Sequence, residues 1–243
     1  MKRLLVIQHV EREGPGLFAE VAALFNYKIE IYNVDLGDEI PPPDSQDVLL
    51  VLGGPMGVKD IDNSEYPWLS YEIDLIRKAV TSNIPFIGVC LGAQLLSYCF
   101  GGNVVKLSLA ESDIILPEIG WGKISFINNK LSGRFQSYSQ NDFHVLHWHL
   151  DRILLPDIAT LIASSERCNE QMFMIGDKAF GLQFHVEIDN YDFDRWLLED
   201  SDFVSLAYND KEKELVQRKG QLIEAQSRNI RRAFIIDIFK SFH

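Results

Sequence analysis

The stretch FIGVCLGAQLL, Phe86 to Leu96, sets a cysteine between two glycines as Gly88-x-Cys90-x-Gly92. A short apolar run precedes it and a helical pattern follows, so Cys90 falls at a strand-to-helix turn where glycines admit a bend that a Cβ would obstruct. That is the arrangement of a nucleophile elbow with sulfur in place of oxygen. The free N–H groups and positive dipole end of the following helix favour thiolate below the ordinary thiol pKa of about 8.5. The competing reading is a small buried residue, since free cysteine is among the most buried residue types. A thiol nucleophile needs a base, and QFHVE supplies His185 with Glu187 two residues on. On a strand these two side chains share a face, which lets Glu187 orient the imidazole. A further piece is the loop GGPMGV, whose Gly54 N–H, together with the N–H of Leu91 beside the cysteine, can form an oxyanion hole.

The elements around these residues alternate. RLLVIQHV, KIEIYNV, DVLLVLGG and IPFIGV read as strands. LFAEVAALFN, YPWLSYEIDLIRKAV (with Leu69, Ile73, Ile76 and Val80 at helical spacing and Pro67 near the start) and LGAQLLSYCF, stopped by Gly101 and Gly102, read as helices. This order predicts an α/β fold with a doubly wound, mainly parallel open sheet and flanking helices. From Val104 to about Ile127 short strands form a β excursion, and HVLHWHLD, ATLIASS, MFMIG and AFGLQFHVE follow as strands. The residues from about 191 to 243 are helical, with Leu215, Leu222, Ile223, Ile230, Ala233 and Phe234 as an apolar stripe. No internal boundary is marked, so residues 1–243 are expected to form one domain with that helical extension packed on it. In an open α/β sheet ligands collect at the carboxyl ends of the strands. Gly53 and Gly54, Cys90 and His185 each follow a strand-like run, and that convergence favours the nucleophile over the buried cysteine.

Composition narrows the classes. Of 243 residues 47% are hydrophobic and 24% charged, as in an ordinary packed domain. Lys and Arg number 23 against 35 Asp and Glu, and the formal charge of −12 would repel a nucleic-acid backbone. The uncharged stretch between Lys78 and Lys106 is broken by Pro85, four glycines and Gln94, which excludes a membrane reading. MKRLLVIQHVEREGPG reads as a first strand rather than a signal peptide. Three cysteines, Cys90, Cys99 and Cys168, without metal-type spacing fit a reducing compartment, and a cytoplasmic location is expected.

With EGPG, VLGGPMGV, YPWL, GVCLGAQLL, HWHLD and GLQFHVE in this order over roughly residues 4 to 190, the chain resembles the class I, triad-type glutamine amidotransferases. The nearest likeness is to the stand-alone branch similar to the amidotransferase domain of GMP synthase. The resemblance implies Cys90 as nucleophile, His185 as general base, Glu187 as its orienting partner and Gly54 and Leu91 as oxyanion donors. It also implies Gln94, and His149 and Asp151 of HWHLD, beside the substrate. The substrate is then L-glutamine or another γ-glutamyl compound, no cofactor is required, and ammonia passes to an unidentified acceptor or synthase subunit. An alternative is a γ-glutamyl peptidase using the same thioester chemistry, and a third reading is a non-catalytic binding protein on this fold. Two positions depart from the family pattern. Val186 stands where proline is usual between the catalytic His and Glu, and Leu150 stands where glycine is frequent, beside the part of the pocket that holds the amino-acid end of the substrate.

Other residues are read structurally. His147 and His149 lie two apart on one strand, but no third ligand of suitable spacing stands out and no metal is assigned. His9 is a polar strand terminus, Cys99 is core, and Cys168 has no role. Trp196, Leu197, Leu222 and Phe234 are expected to pack on the sheet, a share of the stripe being available to a second copy of the chain or to a synthase subunit.

Overall fold

The computed structural model describes residues 1–108, 113–127, 132–139 and 143–243. The strands are β1 (Arg3–Gln8), β2 (Lys28–Asn33), β3 (Val48–Val51), β4 (Phe86–Val89), β5 (Asn103–Lys106), β6 (Glu118–Lys123), β7 (Ser125–Phe126), β8 (His144–His149), β9 (Asp151–Leu154), β10 (Ala159–Ser164), β11 (Met172–Ile175) and β12 (Ala179–Leu182). The helices are α1 (Gly16–Leu24), α2 (Trp68–Thr81), α3 (Leu91–Cys99), α4 (Gln136–Ser139), α5 (Asn190–Glu199), α6 (Ser201–Ser205) and α7 (Asp210–Lys240). Eight strands form the central sheet in the order β2-β1-β3-β4-β12-β11-β10-β7. The β1–β2, β1–β3, β3–β4 and β4–β12 pairs are parallel, and the sheet becomes antiparallel from β12 onward. The pairs β5–β9 and β6–β8 form two small separate ribbons, which make up much of the β excursion; its residues 109–112 lie outside the described ones.

The period-2 geometry of a strand divides the core. Leu4 and Val6 of β1 and Val48 and Leu50 of β3 face α1 and the end of α7, while Leu5, Ile7, Leu49 and Val51 face α2 and α3. Both faces are therefore covered, and the continuous apolar runs of these strands follow from that burial. Pro67 immediately precedes α2, where its fixed φ suits a helix start, and Gly101 (φ +94°) follows α3. Asp189 and Asn209 cap α5 and α7 by accepting N–H groups of the first turn.

The sequence expectation for the last fifty residues needs correction. They are helical, but Leu215 and Leu222 are exposed, at 51% and 66%. The buried face of α7 instead runs through Gly220, Glu224, Ser227, Arg231, Phe234, Ile235 and Ile238. Polar residues on that face have partners inside the protein, so selecting apolar residues alone traced a line rotated away from it. Trp196 and Phe234 are fully buried as expected.

Because Phe234, Ile235, Ile238 and Phe239 belong to the main core, α7 is an integral layer of this structure. Phe234→Ala is expected to lower stability by about 3–5 kcal/mol, measured by urea unfolding, and a chain ending at Asn209 should lose cooperative unfolding. A truncated chain that unfolds like the full one would contradict this.

Candidate active site

Cys90 closes β4 and opens α3 with φ +50° and ψ −104°, a conformation that non-glycine residues rarely adopt. Its N–H donates to Leu182 O at 2.7 Å, which anchors the turn to the end of β12. The flanking glycines have steric causes. A Cβ on Gly88 would strike the Gly92 carbonyl, and one on Gly92 would strike the Val51 carbonyl, so α3 crosses close above β3 and β4 only with glycine at both places.

On the neighbouring strand the expectation about QFHVE is met by a different route. β12 ends at Leu182, so His185 and Glu187 are not aligned by a strand. The chain leaves the sheet, and His185 forms an isolated antiparallel bridge with Leu146 of β8. The segment then curls until Glu187 Oε1 lies 2.7 Å from His185 Nδ1, while Glu187 Oε2 accepts the Val186 N–H at 2.8 Å. A proline at 186 has no N–H and could not make that bond, so this departure adds a donor to the carboxylate. Burial by itself would depress the His185 pKa. The Glu187 carboxylate and the Cys90 sulfur outweigh it and hold the imidazole well above its ordinary range. The Trp196 ring stands edge-on at 4.8 Å from the His185 ring, fixing its plane.

Cys90, His185, Gly54, Leu91 and Gln94 all line one cleft of about 280 Å3. Gly53 packs against the same residues: a Cβ there would meet the Glu13 carboxylate and would lie 3.2 Å from His185 Cε1 and 3.4 Å from Cys90 Cβ. Leu91 is the first residue of α3, and first-turn N–H groups have no intrahelical acceptor. The thiol of Cys90, the imidazole of His185 and two candidate N–H donors therefore share one opening, an arrangement that a thiol attack on a carbonyl would need. Cys99 and Cys168 differ from Cys90: both are buried away from the cleft, and burial pushes both thiols up to about 12.

His149 and Asp151 also line the cleft, but their polar atoms are engaged. His149 Nδ1 donates to Asp151 O at 2.9 Å, and Asp151 pairs with Lys106 at 2.8 Å. Leu150 lies between them and lines the cleft, as its place in HWHLD implies.

Several residues carry no expectation from the sequence. Gln183 is buried and its amide lies 3.7 Å from Cys90 Sγ as a donor, while Gln94 Nε2 approaches Gln183 Oε1 at 3.4 Å. Glu13, in the EGPG stretch, is buried against the site, and burial raises its pKa. Arg231 of α7, fully buried, donates through Nη1 to Val186 O (2.8 Å) and Ile188 O (2.7 Å), bracketing Glu187. Gln183 and Glu13 sit inside the motif stretches QFHVE and EGPG, whereas Arg231 has no local signal. His147 and His149 do gain a third potential ligand, since Glu118 of β6 stands across the ribbon from His149, diagonal to His147, and the three ligand atoms lie within 4.8 Å. The Gln171 amide nitrogen, 2.8 Å from Glu118 Oε2 and 3.4 Å from His149 Nε2, already places a positive pole between them.

A sequence profile of the glutamine amidotransferase class-I family matches residues 17–203. The chain belongs to that family. It is 31% identical over 191 residues to the glutamine amidotransferase-like protein YfeJ of Salmonella typhimurium, covering 76% of this chain and 75% of that protein. It is 34% identical over 122 residues to gamma-glutamyl peptidase 3 of Arabidopsis thaliana, 49% of this chain and 47% of the peptidase. It is 31% identical over 138 residues to the glutamine-hydrolyzing GMP synthase subunit of Thermoplasma acidophilum, 56% of this chain and 64% of that protein. Among solved structures, a glutamine amidotransferase from Thermotoga maritima superposes with a TM-score of 0.82 at 27% identity, over 99% of this chain and 97% of that one.

The contrast between the three thiols of this amidotransferase family member can be measured. Iodoacetamide at neutral pH followed by peptide mass spectrometry is expected to modify Cys90 first and leave Cys99 and Cys168 unmodified while the protein stays folded. Equal labelling of the three would contradict the expectation that Cys90 is the reactive thiol.

Proposed function

We propose that this protein cleaves the side-chain amide of L-glutamine through a covalent thioester on Cys90. The observation that carries the reading is the strained Cys90 elbow opening into the same cleft as the Glu187-paired His185. The Cys90 thiolate attacks the amide carbon, and the resulting oxyanion accepts the N–H groups of Gly54 and Leu91. His185, as imidazolium, gives its proton to the departing nitrogen, and the C–N bond breaks to leave ammonia and a γ-glutamyl thioester. Water then attacks the thioester with His185 taking its proton, releasing glutamate and restoring the thiolate. Gln183, donating toward Cys90 Sγ, supports the negative sulfur. The ammonia goes to a synthase partner or to solution; likeness to a GMP synthase component supports the former.

A second reading keeps this chemistry and changes the leaving group. Leu150 lines the cleft at the position where the family resemblance puts glycine beside the amino-acid end of the substrate, and this side chain together with the similarity to a gamma-glutamyl peptidase supports a γ-glutamyl peptide whose departing amine is an amino acid. Side-by-side assay of glutamate release from free glutamine and from a γ-glutamyl dipeptide separates the two.

With whichever substrate is turned over, Cys90→Ala is expected to abolish release, His185→Ala to lose about 10²–10⁴-fold, and Glu187→Ala to lose less than His185→Ala. His185 must be protonated to serve the leaving nitrogen, and its pKa is raised, so the alkaline limb of kcat/KM should lie well above the ordinary imidazole pKa of 6.5. Glu187→Gln removes the main opposing charge and should move that limb toward neutral pH. Full activity in Cys90→Ala, or a limb that Glu187→Gln leaves in place, would contradict the mechanism.

A further inference from the structure

His9 follows β1 and is fully buried, with both ring nitrogens engaged. Nδ1 lies 2.8 Å from Gly53 O, and Nε2 lies 3.1 and 3.2 Å from the two carboxylate oxygens of Glu72, itself fully buried on α2. A carbonyl only accepts, so the proton of the first bond must sit on Nδ1. The Glu72 carboxylate accepts the other ring N–H, and it outweighs the burial that alone would depress the ring, so His9 is held above the ordinary imidazole range. A buried ion pair of this kind is costly to build and strongly unfavourable to break on one side only. Its location gives it a use.

The atom that His9 grips belongs to the same peptide unit as the Gly54 N–H. A trans peptide is planar, and its C=O and N–H point in opposite directions. Fixing the Gly53 oxygen toward His9 therefore fixes the Gly54 N–H to point the opposite way within the same plane, away from His9. Gly54 lines the cleft with Cys90, and the His9 side chain lies directly behind it: a Cβ on Gly54 would come within 3.0 Å of His9 Cβ. Without a Cβ at 53 or 54 the backbone on either side of this peptide has wide conformational freedom, and the bond from His9 supplies a restraint that local sterics do not.

We propose that His9 and Glu72 are a positioning pair that locks the Gly53–Gly54 peptide with its N–H aimed at the oxyanion, so the oxyanion hole is held by a second buried histidine–carboxylate pair outside the Cys90–His185–Glu187 set. This rests on the reading of the cleft as a thioester-forming site. Neither residue touches the reacting atoms; both act through the orientation of one peptide plane.

The test replaces the pair so that no buried charge is stranded. In His9→Leu/Glu72→Leu the Gly53 oxygen loses its donor. In His9→Asn/Glu72→Leu an amide N–H2 stands near the place of Nδ1 and restores it. With glutamine or a γ-glutamyl dipeptide, the Leu/Leu protein is expected to lose about 10–10²-fold in kcat, below the 10²–10³ of deleting an oxyanion donor outright. Its KM and its rate of Cys90 alkylation should stay within about twofold of the unaltered protein, and the Asn/Leu protein should recover most of the kcat. Unchanged kcat, a loss shared equally with KM and alkylation, or no recovery with Asn would overturn the proposal. If the unaltered protein turns over neither substrate, the proposed function has failed, and a crystal structure of the Leu/Leu protein decides the positioning claim separately. The claim stands if the Gly53–Gly54 peptide has rotated and falls if the Gly53 oxygen keeps its place.

Discussion

The structure turns on one buried segment that has left its sheet. Residues 183–188 run through the interior beyond the end of β12, where backbone polar groups have no ladder to satisfy them and an unpaired group costs about 1–3 kcal/mol. Apart from the Val186 N–H, which the Glu187 carboxylate accepts, their partners come from several other parts of the chain. Gln171 O accepts the Gln183 N–H, and Leu146 exchanges two hydrogen bonds with His185. Leu17 N–H of α1 donates to Glu187 O, and Arg231 of α7 donates to the carbonyls on either side of it. Gly16 serves the same need, because a Cβ there would collide with the Glu187 carbonyl that α1 must approach. The His185–Glu187 geometry is thus a property of the assembled layers.

Arg231 shows what this requires. Burial pulls its pKa down to about 10, still charged at neutral pH, and its charge is answered by Glu224 at 2.9 Å. The guanidinium also lies 4.7 Å over the Trp121 ring. A guanidinium with several fixed donors suits this place, since one side chain must serve two carbonyls and a carboxylate at once. Behind Gly54, the buried His9 donates to the Gly53 carbonyl and pairs with Glu72 through its other ring nitrogen. Arg231 with Glu224 and His9 with Glu72 are thus two buried charged pairs behind the cleft, while the cysteine turn is set by its N–H bond to Leu182 O and by the steric need for glycine at 88 and 92.

The doubly wound sheet and the strand-end placement of Gly53, Cys90 and His185 were legible because strands buried on both faces announce themselves as apolar runs bounded by glycine. The elbow was legible for the same reason, its glycines lying next to the cysteine in sequence. What stayed hidden was non-local. Arg231 sits in a helix 44 residues beyond Glu187, on a face whose polar members break the apolar pattern, and apolar periodicity therefore pointed to the exposed Leu215 and Leu222. Glu118 reaches His147 and His149 only through strand pairing across some thirty residues. His9 looked like a polar strand end because its partners, Gly53 and Glu72, lie on two other elements. The His185–Glu187 contact was expected for a geometric reason that does not hold; the curl of the chain replaces the strand, and Val186 contributes an N–H that proline would lack.

The central claim is that a γ-glutamyl group rides on Cys90 during turnover. Acid quenching of the protein mixed with glutamine or a γ-glutamyl dipeptide, followed by mass spectrometry of the peptide containing Cys90, tests it directly. The account predicts a γ-glutamyl adduct on that peptide, accumulating in Glu187→Ala if water attack is slowed and absent from Cys90→Ala. Turnover without any adduct on Cys90, or with the adduct on another residue, would contradict it.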